Sequence, residues 1–277
     1  MGSGALFERE GEVLHPTLLC RGPWADQGFL HGSAVCAAAG WALERAVADP
    51  TLALARFTVE IRSMVPLGPL VTAAWVVKPG RRSMVVEATL HQQDRLVVRA
   101  TSQWVTHRPN DLAGPAGLGG ASAAGVMARP AQAVDPGANP DMDYPRPGFN
   151  CDAVELRPVR GTTEDEGPGL IWVRLAHPVV AGEVTSSSLM AMTLADFGIA
   201  VGWQRSASGA GFINPDVTLQ LNRPPRGPWI LMASRVHASA AGYGFCETVL
   251  GDDTGLFGRI LQSLVEAPVE MGVPGQV

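Results

Sequence analysis

A set of residues recurs in the second half of this 277-residue chain at one fixed distance from the first half. Two turns and one strand stay in step over this distance, which predicts a duplicated structural unit. Two copies also account for a length that exceeds a usual single core. The recurring residues, each 159 positions apart, are Pro66-x-Gly68-Pro69 with Pro225-x-Gly227-Pro228, Asp94 with Asp253, and Gln103 with Gln262.

Each predicted copy begins with a long apolar helix, at about residues 28–47 and 184–203. Small or apolar residues occupy nearly all sides of both segments, which is typical of helices buried within protein. The second segment is long enough to span a membrane, but Thr193 and Asp196 in its interior would be costly in lipid. We therefore predict no membrane span.

Four strands are predicted to follow each helix, because segments rich in Val, Ile, Leu and Thr alternate with Pro, Gly and Asp turn signals. They cover residues 55–65, 70–78, 83–91 and 96–106 in the first half, and 213–223, 229–238, 243–250 and 256–266 in the second. Residues 107–150 are dense in Gly, Pro and Ala without periodicity, which predicts a mobile linker. The predicted units are therefore 1–106 and 151–277.

Composition excludes nucleic acid as a partner. The formal net charge is −5, and Lys78 is the only lysine among 21 basic residues, so no basic stripe is available for a phosphate backbone. Hydrophobic residues make up 46% of the chain, which supports a filled core. Glu8, Glu10 and Glu12 lie where a signal peptide would be basic and then apolar, so we expect a cytoplasmic location.

No metal or cofactor motif is present in the sequence. Cys20, Cys36, Cys151 and Cys246 form no CxxC pair and have no histidines at zinc-ligand spacing, so we expect four buried thiols. The segment 117–122 approaches a GxGxxG motif but ends in serine, within the linker and after no strand, so we expect no dinucleotide. A GxSxG nucleophile elbow is also missing, which argues against a serine-based hydrolase.

Four segments of the chain form a recognisable set. In chain order they begin Phe29-Leu-His-Gly-Ser-Ala-Val-Cys, Leu194-Ala-Asp-Phe, Phe212-Ile-Asn-Pro-Asp-Val-Thr and Asp253-Thr-Gly-Leu-Phe-Gly-Arg. Together they resemble the acyl-CoA thioesterase II type and its actinobacterial relatives, and the resemblance covers nearly the whole chain apart from the linker and the termini. It implies an α+β double hotdog fold, in which each of two copies wraps a helix in a curved antiparallel sheet.

This resemblance implies hydrolysis of an acyl-CoA thioester by a water held between three side chains. Asp196 matches the family's helix aspartate, and Gln262 matches the glutamine of its last strand. The position where the family has a serine or threonine falls on Asn214, so this sequence departs from the family pattern there. Thr218 could supply the hydroxyl instead, because strand alternation predicts that it lies on the same face as Asn214. Gly32 at a helix start matches the family's backbone donor to the oxyanion, and His31 could add a side-chain donor.

A carboxylate on an apolar helix is desolvated, which raises its pKa and suits it to act as a general base toward water. The first-half helix has Cys36 and Ala37 near the corresponding place, so we expect one active site per chain, at the junction of the copies. Structural roles stay open for each candidate. Asp196 could belong to a polar network, and Asn214 before Pro215 could be a turn residue.

Two other functions stay open. A hotdog hydratase or dehydratase would carry Gly-Asp-x-Asn-Pro-x-His, but Asn214-Pro215 here lacks both the preceding aspartate and the following histidine. A non-catalytic acyl-binding or acyl-CoA-binding protein would be consistent with the asparagine at 214. Exposed sheet edges favour pairing with a second chain, so a homodimer or larger homo-oligomer is expected. The acyl group is not fixed by the sequence, nor is the choice between CoA and a carrier protein.

Overall fold

The computed structural model describes residues 4–23, 28–107, 146–161, 165–206 and 208–267. These residues form one antiparallel sheet of 13 strands and the helices that pack against it. The first-half strands are β1 (Phe7–Glu10), β2 (Val13–Pro16), β3 (Leu52–Ile61), β4 (Leu70–Lys78), β5 (Ser83–Gln92) and β6 (Arg95–Thr106). The second-half strands are β7 (Val154–Arg160), β8 (Gly169–Leu175), β9 (Phe212–Ile213), β10 (Asp216–Leu221), β11 (Ile230–Ala238), β12 (Tyr243–Asp252) and β13 (Gly255–Glu266). The α-helices are α1 (Gly32–Arg45), α2 (Ser187–Leu194) and α3 (Gly198–Val201).

The strand order shows the duplication. The sheet runs β1-β2-β4-β5-β6-β3 through the first half and continues β10-β13-β12-β11-β8-β7 through the second, so one half mirrors the order of the other. At the centre β3 pairs with β10, and Thr58 lies opposite Thr218 with their hydroxyl oxygens 3.3 Å apart. The predicted α+β architecture of two helix-and-sheet copies in one continuous sheet is confirmed.

The matching strands recur 160 residues apart rather than 159. The starts of β4, β5 and β6 correspond to those of β11, β12 and β13 at this distance. The counterpart of Gln262 is therefore Ser102, and both are fully buried, whereas Gln103 is partly exposed. Adjacent strand residues point to opposite faces, so the expected match of Gln103 with Gln262 is wrong by one residue. The buried glutamine belongs to the second half alone.

A hairpin precedes the helix of each copy, and the sequence did not predict it. β1 pairs with β2, which adds to the edge of β4, and β7 pairs with β8, which adds to β11. Each half therefore contributes six strands to the main path of the sheet instead of four. β1 and β2 have only four residues each and mixed polarity, so they lack the alternation that indicates a strand.

The predicted second helix is interrupted at the position of Asp196. α2 ends at Leu194 and α3 begins at Gly198, with a turn over residues 195–197 between them. The N-cap of α2 is Ser186, whose hydroxyl accepts the N–H of Leu189. None of the helices formed by the described residues has the length and apolar character needed to cross a membrane.

Burial of the first helix is nearly complete, because 11 of the 14 residues of α1 are buried. α1 packs closely on α2, since a Cβ added at Gly40 would lie 3.0 Å from the Cβ of Met192. The four cysteines are also buried, as predicted.

Most of the predicted linker 107–150 consists of residues 108–145, which lie outside the described residues. The predicted mobility of the linker is therefore not tested. The limits of the two units stay a prediction. The last linker residues are described, and Phe149–Ala153 forms one wide helical turn. The N–H of Phe149 donates to the carbonyl of Arg21, which brings this turn to the start of α1.

An ion pair fixes the hairpin between β12 and β13. Arg223 donates from both terminal nitrogens to the carboxylate of Asp252, at 2.6 and 2.8 Å, and the Asp252 side chain is fully buried. Burial alone would raise the pKa of Asp252, but hydrogen bonds from Arg223, from the N–H of Arg226 and from Thr254 hold it well below its ordinary value. The ionised form therefore stabilises the fold.

We expect Asp252→Asn to lower the free energy of unfolding at pH 7 by about 3 kcal/mol, because Arg223 loses its charged partner. A group with a depressed folded pKa stabilises above its unfolded pKa of about 4, so the difference from wild type shrinks as the pH falls below that value. Urea unfolding at pH 7 and pH 3 measures this. Asp253→Asn, at the exposed neighbour, is the control, and equal losses for both variants would contradict the prediction.

Candidate active site

A cavity of about 150 Å³ lies between the two halves. Its walls come from the start of α1, the end of β3 and the turn after it, α3, and the segment around β9. This is the junction at which the sequence predicts the active site. The first-half lining includes Leu30, His31, Gly32, Val35, Ile61 and Met64, and the second-half lining includes Asp196, Ile199, Trp203, Phe212, Asn214 and Val236.

Asp196 lies in the turn between α2 and α3 and is only 3% exposed. The side-chain nitrogen of Asn214 donates to its Oδ1 at 2.7 Å. The backbone N–H of Ser33, which donates to His31, also lies against the carboxylate and stabilises its charge. Gln262 donates to the Asp196 carbonyl at 3.1 Å and lies 3.4 Å from Oδ1. Both halves of the chain therefore hold this one carboxylate.

Burial raises the pKa of Asp196 to about 6, although the hydrogen bonds from Asn214 and Ser33 act in the opposite direction. Removal from water disfavours the charged form more than these donors stabilise it. Near neutral pH the group is mostly ionised and more basic than an ordinary aspartate. That is the property a general base toward water needs.

A side chain at position 32 would force the Asp196 carboxylate to move. A Cβ added at Gly32 would lie 2.5 Å from the carboxyl carbon of Asp196. Gly32 also lines the cavity and is the first residue of α1. An N–H at this helical position has no intrahelical acceptor, and the helix end adds positive potential. The start of α1 thus provides a site for negative charge beside the carboxylate.

His31 is the N-cap of α1, and its Nδ1 accepts the N–H of Ser33 at 2.9 Å. Its ring stacks on Phe149 with the centroids 4.6 Å apart. Burial lowers the pKa of His31 to about 3, against a smaller opposing effect of Asn150, so the ring is neutral at ordinary pH. Because Nδ1 is an acceptor, the proton belongs on Nε2. The 3.7 Å separation between Nδ1 and Asp196 Oδ2 is therefore not an ion pair.

The structure brings Asp196, Asn214, Gln262, Gly32 and His31 together. Gln262 is fully buried and holds Asp196 from a side that does not face the cavity.

Thr218 is not brought to the cavity, because its hydroxyl lies beside Thr58 at the pairing of β3 with β10. Asn214 and Pro215 separate β9 from β10, so strand alternation does not extend from Asn214 to Thr218. The catalytic roles of all six predicted residues stay predictions.

Residues at the end of the predicted linker also reach the site, and the sequence did not indicate them. Asn150 lines the cavity, and Phe149 supports the His31 ring. They carry no periodic signal. The hydrogen bond from Phe149 to Arg21 and the packing of the Phe149 ring on His31 place them here. In the described part of the chain, no group of three or more histidine, cysteine or acidic side chains is arranged to hold a metal ion.

Two family models match the chain. The acyl-CoA thioesterase N-terminal domain matches residues 20–105, and the acyl-CoA thioesterase C-terminal domain matches residues 128–265. The chain belongs to the acyl-CoA thioesterase family. It is therefore a thioester hydrolase, and the resemblance found in its sequence is confirmed.

Solved structures show the same fold. A hot dog fold protein from Alicyclobacillus acidocaldarius is 16% identical with a TM-score of 0.67, and 95% of this thioesterase and 96% of that chain are covered. The tesB protein of Mycobacterium avium subspecies paratuberculosis is 16% identical with a TM-score of 0.60, and the match covers 95% of this thioesterase and 96% of that chain. An acyl-CoA thioesterase II from Mycobacterium marinum is 14% identical with a TM-score of 0.61, and the match covers 93% of this thioesterase and 94% of that chain. No curated protein sequence matches the chain. The predicted double hotdog fold is confirmed.

We expect Gly32→Ala to lower kcat for thioester hydrolysis at least about 100-fold, because the new Cβ displaces the Asp196 carboxylate by a large part of an ångström. Steady-state hydrolysis assays measure this, and thermal unfolding reports on folding. Gly251→Ala is the matched control, since a Cβ there meets its nearest atom at an ordinary 3.4 Å. An unchanged kcat in folded Gly32→Ala would contradict the prediction.

Proposed function

We propose that this thioesterase hydrolyses an acyl-CoA to the free acid and CoA, with Asp196 as the base that activates water. The observation that supports this most strongly is the buried Asp196 carboxylate, which lines a largely apolar cavity and packs against the first residue of α1. A carboxylate with a raised pKa can act as the general base, and a helix start that favours negative charge can stabilise the oxyanion, in hydrolysis by an activated water.

In the proposed mechanism, Asp196 takes a proton from water as the water oxygen bonds to the thioester carbonyl carbon. The carbonyl electrons move to oxygen, and the N–H of Gly32 at the positive end of α1 stabilises the resulting oxyanion. When the carbonyl re-forms, the C–S bond breaks and the thiolate of CoA leaves. The protonated Asp196 then returns its proton to the sulfur, which restores the carboxylate.

Asn214 fits the position that a hydroxyl residue holds in the family. Its amide nitrogen donates to Asp196, so its amide oxygen is left as an acceptor for the second hydrogen of the water. Gln262 acts on Asp196 itself, because it donates to the backbone carbonyl of that residue. The neutral His31 ring carries a proton on Nε2 and is a candidate second donor to the oxyanion.

Two sequence expectations stay proposals. Exposed apolar side chains lie on β4 (Val71, Trp75 and Val77) and on β12 and β13 (Tyr243, Phe245 and Leu261), which supports a homodimer or larger assembly. We also propose a cytoplasmic location.

Asp196→Asn should abolish hydrolysis, with kcat at least about 1,000-fold below wild type, because the amide cannot accept the proton of water. Release of free thiol from a panel of acyl-CoAs measures this, and Asp253→Asn is the control for an exposed aspartate. Binding of acyl-CoA without thiol release by wild type would favour a non-catalytic acyl-binding protein. Hydration of an enoyl-CoA without thiol release would favour a hotdog hydratase.

The pH profile of kcat/KM should rise through an apparent pKa of about 6 and then level off, because Asp196 must be ionised to act as a base. His31, with its pKa near 3, cannot produce this rise. Asn214→Ala removes a hydrogen bond to the ionised carboxylate, so the rise should move to higher pH. A profile that is flat from pH 5 to 8, or the same in both proteins, would contradict the assignment.

A further inference from the structure

One wall of the cavity is apolar. Ile199, Phe212 and Val236 line the cavity from α3, β9 and β11. They pack with the buried residues Cys246 and Leu264 in a cluster that is separate from the main core. A longer acyl group would have to displace these packed side chains to extend in this direction.

The volume limits what the cavity can hold. A dry apolar cavity of about 150 Å³ is the size that accommodates benzene. The cavity of this thioesterase has a volume of about 150 Å³, so it cannot enclose the nucleotide part of CoA together with an acyl group. A chain of ten or more carbons would also exceed it.

The lining limits the charge of the acyl group. Among the described residues that line the cavity, Asp196 is the one side chain that is charged near neutral pH, because the ring of His31 is neutral. An acyl group with its own carboxylate would be repelled by Asp196 and would find no cationic partner in this lining. The apolar wall instead favours an uncharged hydrocarbon group.

We propose that this thioesterase prefers short or compact acyl groups, either straight chains of up to about six carbons or a single ring. The proposal rests on the proposed function, since it names the substrate class of the same site. The wall of Ile199, Phe212 and Val236 sets the length limit.

The test compares kcat/KM for butanoyl-, hexanoyl-, benzoyl-, decanoyl- and hexadecanoyl-CoA with the full-length enzyme. We expect the best of the first three substrates to exceed decanoyl-CoA and hexadecanoyl-CoA at least tenfold, because a few methylenes that do not fit cost that much in specificity. A preference for decanoyl-CoA or longer substrates, abolished by Asp196→Asn, would overturn the size limit and leave the proposed function intact. Hydrolysis of none of these substrates would overturn the proposed function itself.

Two variants test the wall. Phe212→Ala and Val236→Ala extend the cavity, so the ratio of kcat/KM for decanoyl-CoA to that for butanoyl-CoA should rise at least tenfold in Phe212→Ala and by a smaller factor in Val236→Ala. This ratio does not depend on the fraction of folded enzyme, so loss of stability cannot imitate the result. Val184→Ala is the control, because Val184 is almost fully exposed and outside the cavity. An unchanged ratio in both wall variants would overturn the assignment of the wall.

Discussion

The burial of α1 on nearly all its sides is the constraint from which the rest of the architecture follows. A helix that is apolar all round has to be enclosed by protein, and neither copy of the sheet encloses it alone. α1 packs on strands of its own half and on α2, where Gly40 permits close approach to Met192. This close packing brings the start of α1 beside the turn after α2, so Gly32 meets Asp196. The site thus results from helix packing.

Strand positions were predictable wherever turn signals bounded an alternating segment. β4, β6, β11 and β13 begin and end within one residue of the expected limits, because proline, glycine and aspartate mark their turns. The hairpin before α1 was not predictable, since β1 and β2 are short and lack alternation. The hairpin before α2 has a local signal, because β8 contains the β-forming residues Leu-Ile-Trp-Val. The break between α2 and α3 at residues 195–197 was also not predictable. A continuously apolar segment shows no periodic signal that could indicate where a helix is interrupted.

The site could be predicted in its residue types but not in its packing. Asp196, Asn214 and Gly32 stood out through the segments that resemble a known family. The steric dependence of Asp196 on a glycine at 32 needs coordinates, because these residues come from different halves of the chain. Thr218 was misplaced because Pro215 interrupts the strand, and Gln103 because a shift of one residue reverses the face of a strand. Asn150 was missed because it follows a segment without periodicity.

The pairing of β3 with β10 has a consequence for how this enzyme responds to dilution. Two separate hotdog chains that formed the same site would lose it as they dissociated, since association depends on concentration. Here the two halves are parts of one polypeptide, so each is always present at a high effective concentration near the other. The covalent link also frees the halves from being identical. The second half can therefore carry a residue that supports Asp196, such as the buried Gln262, while the first half has a serine at the corresponding position, Ser102.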